Sequence, residues 1–149
     1  MLRALKIHMN TSKVNPNFYL FLDDERRPQN VFWVTIPENV PWTIVTNYQQ
    51  FKDAVLKNGI PKFVSFDHDL ANEHYSMTED KVNSSSYEDV VDSYDEKTGY
   101  DCLKWLINDI LAPSTLPFPN YALHTMNTIG KDNMEKFINQ YKRYLLTGK

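Results

Sequence analysis

Cysteine is almost absent from this sequence, which has one, Cys102, in 149 residues. A single cysteine excludes an internal disulfide framework and a zinc site built from cysteine thiolates. Long apolar runs are also missing: no stretch of about 18 apolar residues occurs, so neither a membrane-spanning helix nor a membrane partner is expected. The first ten residues, MLRALKIHMN, lack the apolar centre and small-residue cleavage site of a signal peptide, which favours a cytoplasmic location.

Strong charge of one sign is missing as well, because the formal net charge is only −3. Such a charge gives no general attraction to nucleic acid or to a membrane. A ligand that carries phosphate must therefore be held by local positive charge, by a metal ion or by backbone amides. Neither a P-loop nor a protein-kinase motif is present. The length and an apolar fraction of 42% instead fit one globular domain with a hydrophobic core.

Four short apolar segments are predicted to form β-strands. They are residues 18–22 (FYLFL), 42–46 (WTIVT), 62–66 (KFVSF) and 120–127 (NYALHTMN). Leu5, Ile7 and Met9 alternate within residues 1–17, so this N-terminal extension could add an edge strand to the domain at 18–146.

Helical patterns separate these strands. Thr46 and Gln49 have capping-box spacing, and Asn58-Gly59 is a plausible end for the helix that they begin. A second helix is expected after a cap formed by Thr98 and Asp101, and a third is expected to open at Gly130. Strands that alternate with helices predict an α/β sandwich around a mostly parallel sheet.

Residues 71–98 break this pattern with eight acidic residues and two lysines, a net charge of −6. This composition predicts an exposed, mobile insertion, with a short helix near Tyr87–Val91 and His74 at the surface. Its acidic surface is a possible contact for a protein partner.

Polar clusters follow three of the predicted strands. They are Asp23, Asp24 and Glu25 after the first, Asp67, His68 and Asp69 after the third, and His124 and Asn127 at the end of the last. Ligands of open parallel sheets bind at the carboxyl ends of the strands. A parallel sheet would therefore gather all three clusters at one edge.

The motifs LFLDDERRP, FVSFDHDL, TGYDCLKWL and HTMNTIGKDNM resemble those of the cyclic-phosphate processing receiver domain family, which occurs in bacteria and phages. The resemblance covers roughly residues 18–143, apart from the insertion. It implies a receiver-like (flavodoxin-like) three-layer sandwich with about four to five strands, lacking the usual fifth βα unit. It also implies processing of the cyclic phosphate ends of nucleic acids, in the host cytoplasm if a phage encodes the chain.

By the same resemblance, Asp23 and Asp24 match the metal-binding acids of ordinary receivers, and Asp67 matches their phospho-accepting aspartate. Thr125 lies near a conserved serine or threonine of receivers. The receiver lysine after a fifth strand has no counterpart, and His68 and Asp69 stand where receivers keep mostly non-catalytic residues. Both departures argue against a phosphorelay function.

The carboxylates suit a hard divalent cation. Asp23, Asp24 and Asp67, with Asp69 or Glu25, are predicted to hold Mg²⁺ or Mn²⁺. Such an ion binds a phosphate oxygen and activates water. A nucleotide or an RNA end bearing a phosphate is therefore the expected partner.

Two histidines are candidates for proton transfer, because imidazole titrates near neutral pH. His68 and His124 could share the acid and base roles, although each could equally be a buried structural residue. If the strand continues past its apolar part, Asp67 and Asp69 point to one side and His68 to the other.

Several residues are candidates for binding the substrate. Arg26 or Arg27 could hold the phosphate, and the amides near Gly130 offer a further anion site, with Thr125 and Asn127 nearby. Two functions follow: a metal-dependent phosphodiesterase acting on a cyclic phosphate, or a non-catalytic binding module that sequesters a nucleotide or a host protein.

Overall fold

A computed structural model of the chain describes residues 13–148. Four strands form a single parallel sheet in the order β2-β1-β3-β4. They are β1 (Val14–Leu22), β2 (Trp42–Val45), β3 (Ile60–Phe66) and β4 (Asn120–Leu123). The predicted receiver-like α/β fold is confirmed. β1 begins at Val14 rather than at residue 18, and the predicted edge strand at Leu5–Met9 lies outside the described residues.

Five α-helices occur in the described part of the chain. They are α1 (Tyr48–Asn58), α2 (Glu79–Ser84), α3 (Tyr87–Asp92), α4 (Gly99–Trp105) and α5 (Thr128–Thr147). Single turns of 3₁₀-helix lie at Pro28–Asn30, Asn72–Ser76 and Ala112–Ser114, and a π-helical segment, Leu106–Leu111, continues α4. None of the helices within residues 13–148 has both the length and the apolar composition needed to cross a lipid bilayer.

The helix termini follow from capping side chains. α1 is capped by Asn47, whose side chain accepts from the amide of Gln50, so the predicted cap at Thr46 is wrong by one position. α1 ends as predicted at Gly59. The φ of this residue is 94°, a backbone angle that residues with a side chain rarely adopt. The expected capping box of Thr98 and Asp101 starts α4.

The hydrophobic core lies between the sheet and the long helices. Leu20, Leu22, Val64, Phe66 and Leu123 point from the strands into this core. They pack there with Phe51 of α1, Leu103 of α4, and Met134 and Ile138 of α5. The alternate strand residues, among them Phe21 and Ser65, therefore point to the opposite face of the sheet. The connection 23–41 meets that face: the indole nitrogen of Trp33 donates to the carbonyl of His124 at 2.8 Å.

The insertion 71–98 is folded against the domain, so the prediction that it is exposed is wrong for its apolar residues. α3 confirms the short helix expected near Tyr87–Val91, and it buries Tyr87, Val90 and Val91. His74 is fully buried rather than at the surface. Its Nδ1 accepts from the amide of Leu70, and its Nε2 donates to the carbonyl of Glu96, each at 2.8 Å. The neutral imidazole thereby connects the two ends of the insertion.

Candidate active site

The register of the sheet brings three polar residues together. Leu22, Phe66 and Leu123 are aligned on neighbouring strands, and each is followed directly by Asp23, Asp67 or His124. The amide of Asp67 donates to the carbonyl of Leu22, and that of His124 donates to the carbonyl of Phe66. Because aligned residues of parallel strands point to the same face, these side chains meet. One possible ligand atom from each lies within 4.8 Å of the others.

Asp23 is held as a carboxylate by three hydrogen-bond donors and one ion pair. Its Oδ1 accepts from the amides of Glu25 and Arg26 at 2.8 and 2.9 Å. Its Oδ2 accepts from Nε2 of His124 at 3.0 Å, and the Arg26 guanidinium lies 3.8 Å away. Burial acts to raise the pKa of Asp23, but the hydrogen bonds from His124 and from the two amides hold it below its usual value. Asp23 is therefore charged at neutral pH.

His124 is a buried, neutral imidazole. Burial lowers its pKa, although the neighbouring Asp23 carboxylate acts in the opposite direction. With Nε2–H donated to Asp23, Nδ1 is left to accept from the hydroxyl of Ser65 at 2.6 Å. The ring also stacks on Phe21, with 4.6 Å between centroids. His124 thus orients Asp23 and has no ring nitrogen left without a partner.

Asp67 has the opposite electrostatic environment. It is 2% exposed, its Oδ1 accepts from the amide of His68 at 2.9 Å, and its Oδ2 has no hydrogen-bond partner among the described residues. Burial and the charges of Asp23 and Asp69 raise its pKa to about 8. Asp67 forms no ion pair with any residue of the described range 13–148, and a bound cation would provide the counter-charge.

Gly99 explains part of the TGYD motif. A Cβ at this position would lie 1.8 Å from the carbonyl oxygen of Asp67, and the Gly99 amide donates to the carbonyl of His68 at 2.8 Å. Only glycine therefore lets the start of α4 approach the backbone that carries Asp67.

His68 does not join the cluster of Asp23, Asp67 and His124, contrary to the predicted catalytic role in which it shared that site. It is fully buried, with Nδ1 2.9 Å from Oδ1 of Asp69 and Nε2 2.6 Å from the hydroxyl of Tyr87. The reason is the alternation of side chains, which turns His68 away from Asp67 and toward the helices. A carboxylate accepts Nδ1–H, so the Tyr87 hydroxyl donates to Nε2.

The predicted anion site near Gly130 is already used by the protein. Asn127 caps α5, and its Oδ1 accepts from the Gly130 amide at 2.9 Å. Its Nδ2 donates to Oδ1 of Asp69 at 3.0 Å, and its own amide donates to the Thr125 hydroxyl at 3.1 Å. A Cβ on Gly130 would lie 2.4 Å from the His68 ring, so this glycine makes room for the imidazole.

The other predicted site residues, Arg26, Arg27 and Asp24, differ in whether the structure places them at the site. Arg26 lines the site, with its guanidinium 5.3 Å from the centre of the Trp33 ring. The Arg27 guanidinium instead donates to the backbone carbonyl of Arg26 at 2.9 Å, so it contacts its own loop. Asp24 lies outside the compact group of possible ligand atoms, yet its buried Oδ1 has no partner among residues 13–148. Burial, followed by the charges of Glu25 and Asp23, raises the pKa of Asp24.

A cavity of about 310 Å³ opens beside this cluster. Its polar lining includes Arg26, Asp67, Asp69 and Asn127, all predicted as site residues. Its apolar lining includes Tyr75, Met77, Met126 and Ile129, which the sequence reasoning missed. Tyr75 and Met77 belong to the insertion, whose lack of periodicity gave no signal for them. Met126 could have been predicted, because it lies between His124 and Asn127, which were both expected at the edge of the sheet that holds the site.

A parallel four-stranded sheet with an acidic cluster at its carboxyl edge defines a receiver-like domain. Residues 18–140 match the family model described as the Cyclic-phosphate processing Receiver domain, and the chain belongs to that family. The family description connects the chain with cyclic-phosphate processing. No curated protein and no solved structure matches the chain.

Proposed function

We propose that the protein is a metal-dependent phosphodiesterase that opens a cyclic phosphate, either a 2′,3′-cyclic phosphate at an RNA end or a cyclic nucleotide. The observation that carries this proposal is the carboxylate of Asp67. It is buried, one of its oxygens has no hydrogen-bond partner among residues 13–148, and it lies near the charges of Asp23 and Asp69 on the wall of a cavity that Arg26 also lines. A bound cation would favour the ionised form of this carboxyl group, and the cavity has room for a phosphate beside it.

The donor set fits Mg²⁺ or Mn²⁺. Asp23 and Asp67 supply oxygen ligands, which hard divalent ions prefer, whereas Asp24 lies outside their compact group. His124 keeps the Asp23 carboxylate in a fixed orientation through its 3.0 Å hydrogen bond. A divalent ion held there would withdraw charge from a phosphate oxygen and make water easier to deprotonate.

Arg26 and Asp69 complete the proposed chemistry. The Arg26 guanidinium, supported by the Trp33 ring, offers a fork of donors to the phosphate. Hydrolysis adds water across one P–O bond of the cyclic ester, so the water loses a proton and the released ribose oxygen gains one. Asp69 lines the cavity and is placed to accept the proton of the water and return it to the ribose oxygen.

His68 is a positioning residue in this scheme rather than an acid or base. Together with Asn127 it fixes Oδ1 of Asp69, because both donate to that oxygen. Tyr87 in turn holds the far side of the His68 ring. Through these contacts, the imidazole would keep the Asp69 carboxylate in one orientation.

The test is hydrolysis of adenosine 2′,3′-cyclic phosphate by the purified protein with Mg²⁺ or Mn²⁺. We expect a phosphomonoester product, and a loss of ~100-fold or more in kcat for Asp67→Ala and for Asp69→Asn, the range for general acid–base catalysis. Asp132→Asn is the matched control, since Asp132 is an exposed acid on α5. Absence of turnover on 2′,3′- and 3′,5′-cyclic nucleotides with both metals would contradict the proposal.

A second candidate is the binding module that sequesters a nucleotide without turnover. One observation favours it: both ring nitrogens of His68 and of His124 are engaged by protein groups, so neither imidazole is free for proton transfer. Calorimetric binding of the cyclic nucleotide, with no product after prolonged incubation, would support this alternative. A protein partner for the acidic insertion stays a prediction.

A further inference from the structure

Two large apolar side chains stand at the mouth of the polar cavity. Tyr75 is 49% exposed and Met126 is 60% exposed, and both line the same space as Asp67 and Arg26. Tyr75 comes from the 3₁₀ turn of the insertion, and Met126 comes from the segment between β4 and α5. The two side chains thus approach one cavity from separate parts of the chain.

Tyr75 lies close to the acidic cluster. Burial and then the charges of Asp24, Asp67, Glu25 and Asp69 raise the pKa of its phenol well above the usual value. The ring is therefore uncharged at any ordinary pH, and it lines the same cavity as Asp67. Met77 and Ile129 extend this apolar wall inside the cavity.

The occupant must satisfy two different linings at once. The charged part of the lining is the Arg26 guanidinium with the Asp67 and Asp69 carboxylates, which suit a phosphate with an associated cation. The apolar part is an aromatic ring, two thioethers and an aliphatic side chain, which suit a flat apolar group. A nucleotide has a group for each part of the lining, whereas inorganic phosphate has a group for the charged part alone.

We propose that Tyr75 and Met126 form a nucleobase subsite, which stacks the base of the nucleotide that carries the cyclic phosphate. This inference rests on the proposed function for the position of the phosphate. A cavity of about 310 Å³ is at the small end of ligand pockets and accommodates one nucleotide rather than a longer chain. The half-exposed rim leaves the preceding nucleotide of an RNA end in solvent. The substrate class is therefore a terminal nucleoside 2′,3′-cyclic phosphate or its free mononucleotide.

The experiment compares affinity for adenosine 2′,3′-cyclic phosphate with affinity for 1-O-methylribose 2′,3′-cyclic phosphate, which lacks the base. Affinity is measured as KM where turnover occurs, and as a calorimetric Kd with Mg²⁺ where it does not. We expect the wild-type protein to prefer the nucleoside by about 10-fold or more, the range for stacking one base on an aromatic side chain. Tyr75→Ala should reduce this preference to within about 2-fold of unity, and Tyr75→Phe should retain it.

Met126→Ala is the second variant. Because the Met126 side chain is exposed, its removal should not impair folding, and a lost preference would then be due to the subsite. Tyr144→Ala is the matched control, because Tyr144 is a partly exposed tyrosine near the far end of α5. A wild-type preference near unity, or a preference unchanged in Tyr75→Ala and Met126→Ala, would overturn the subsite. An intact preference without any turnover would overturn the hydrolase and support the subsite.

Discussion

Replacing Asp67 by asparagine should stabilise the protein in the absence of metal. Burial and the nearby charges of Asp23 and Asp69 make ionisation unfavourable in the folded state, and Oδ2 has no hydrogen-bond partner within the described residues. Asparagine has nearly the same shape, can still accept from the His68 amide, and offers a donor toward the neighbouring carboxylates. The substitution removes the charge and retains the packing.

The magnitude follows from the pKa of Asp67, which rises from 3.8 to about 8 in the folded protein. Between these values the folded state binds a proton that the unfolded state has released, so stability falls as pH rises. At about 1.4 kcal/mol per pH unit, the interval from 3.8 to pH 7 corresponds to at most about 4 kcal/mol. Asparagine is neutral in both states and avoids this loss. Asp67→Asn should therefore match the wild type near pH 4 and exceed it at pH 7.

Urea denaturation at pH 4 and pH 7, with EDTA present, measures both differences. Asp132→Asn is the control for removal of an exposed negative charge. Addition of Mg²⁺ at pH 7 should raise the stability of the wild type and affect Asp67→Asn less, because a ligand stabilises the state that binds it. If Asp67→Asn is no more stable than the wild type at pH 7, or gains equally at both pH values, the reasoning about the buried charge is refuted.

Three further outcomes are expected. Gly130→Ala should lower the free energy of unfolding by about 1–3 kcal/mol, because its Cβ would collide with the His68 ring, and urea denaturation measures this. Tyr87→Phe should cost about 1 kcal/mol by removing the hydrogen bond to His68, and should lower kcat more than it changes KM if His68 positions Asp69. Arg26→Ala should raise KM for the cyclic nucleotide about 10-fold or more, whereas Arg27→Ala should leave it near the wild-type value.

Much of the site could be predicted because it lies at the ends of strands. Apolar runs locate the strands, and the parallel arrangement gathers their carboxyl ends at one edge of the sheet. Asp23, Asp67 and His124 are the residues that come next in the chain after three of these strands. Side-chain alternation also separates the His68 ring from Asp67, and the contact of that ring with Tyr87 agrees with the separation, although Asp69 still accepts a hydrogen bond from His68. Whether His124 faced the core or the acids could not be predicted, since that depends on the register between β3 and β4.

The rest of the site could not be predicted because it depends on segments without periodicity. Trp33 reaches the His124 carbonyl from the connection 23–41, which contains one 3₁₀ turn and no helix. His74 was predicted to be exposed because its neighbours are polar, yet it bonds Leu70 and Glu96 and closes the insertion on itself. A composition that predicts exposure describes the outer surface of such a segment and not its inner side.

The insertion therefore belongs to the site as much as the strand ends do. Its Tyr87 supports His68, and its Tyr75 forms part of the cavity wall, while its acidic residues remain mostly outside. The strand ends are fixed by backbone hydrogen bonds across the sheet, which suits the residues that hold charge in a defined geometry. A segment with few backbone constraints can change its side chains without disturbing that geometry. Under the proposed function, the strand ends supply the charged groups, and Tyr75 of the insertion contributes together with Met126 to the choice of ligand.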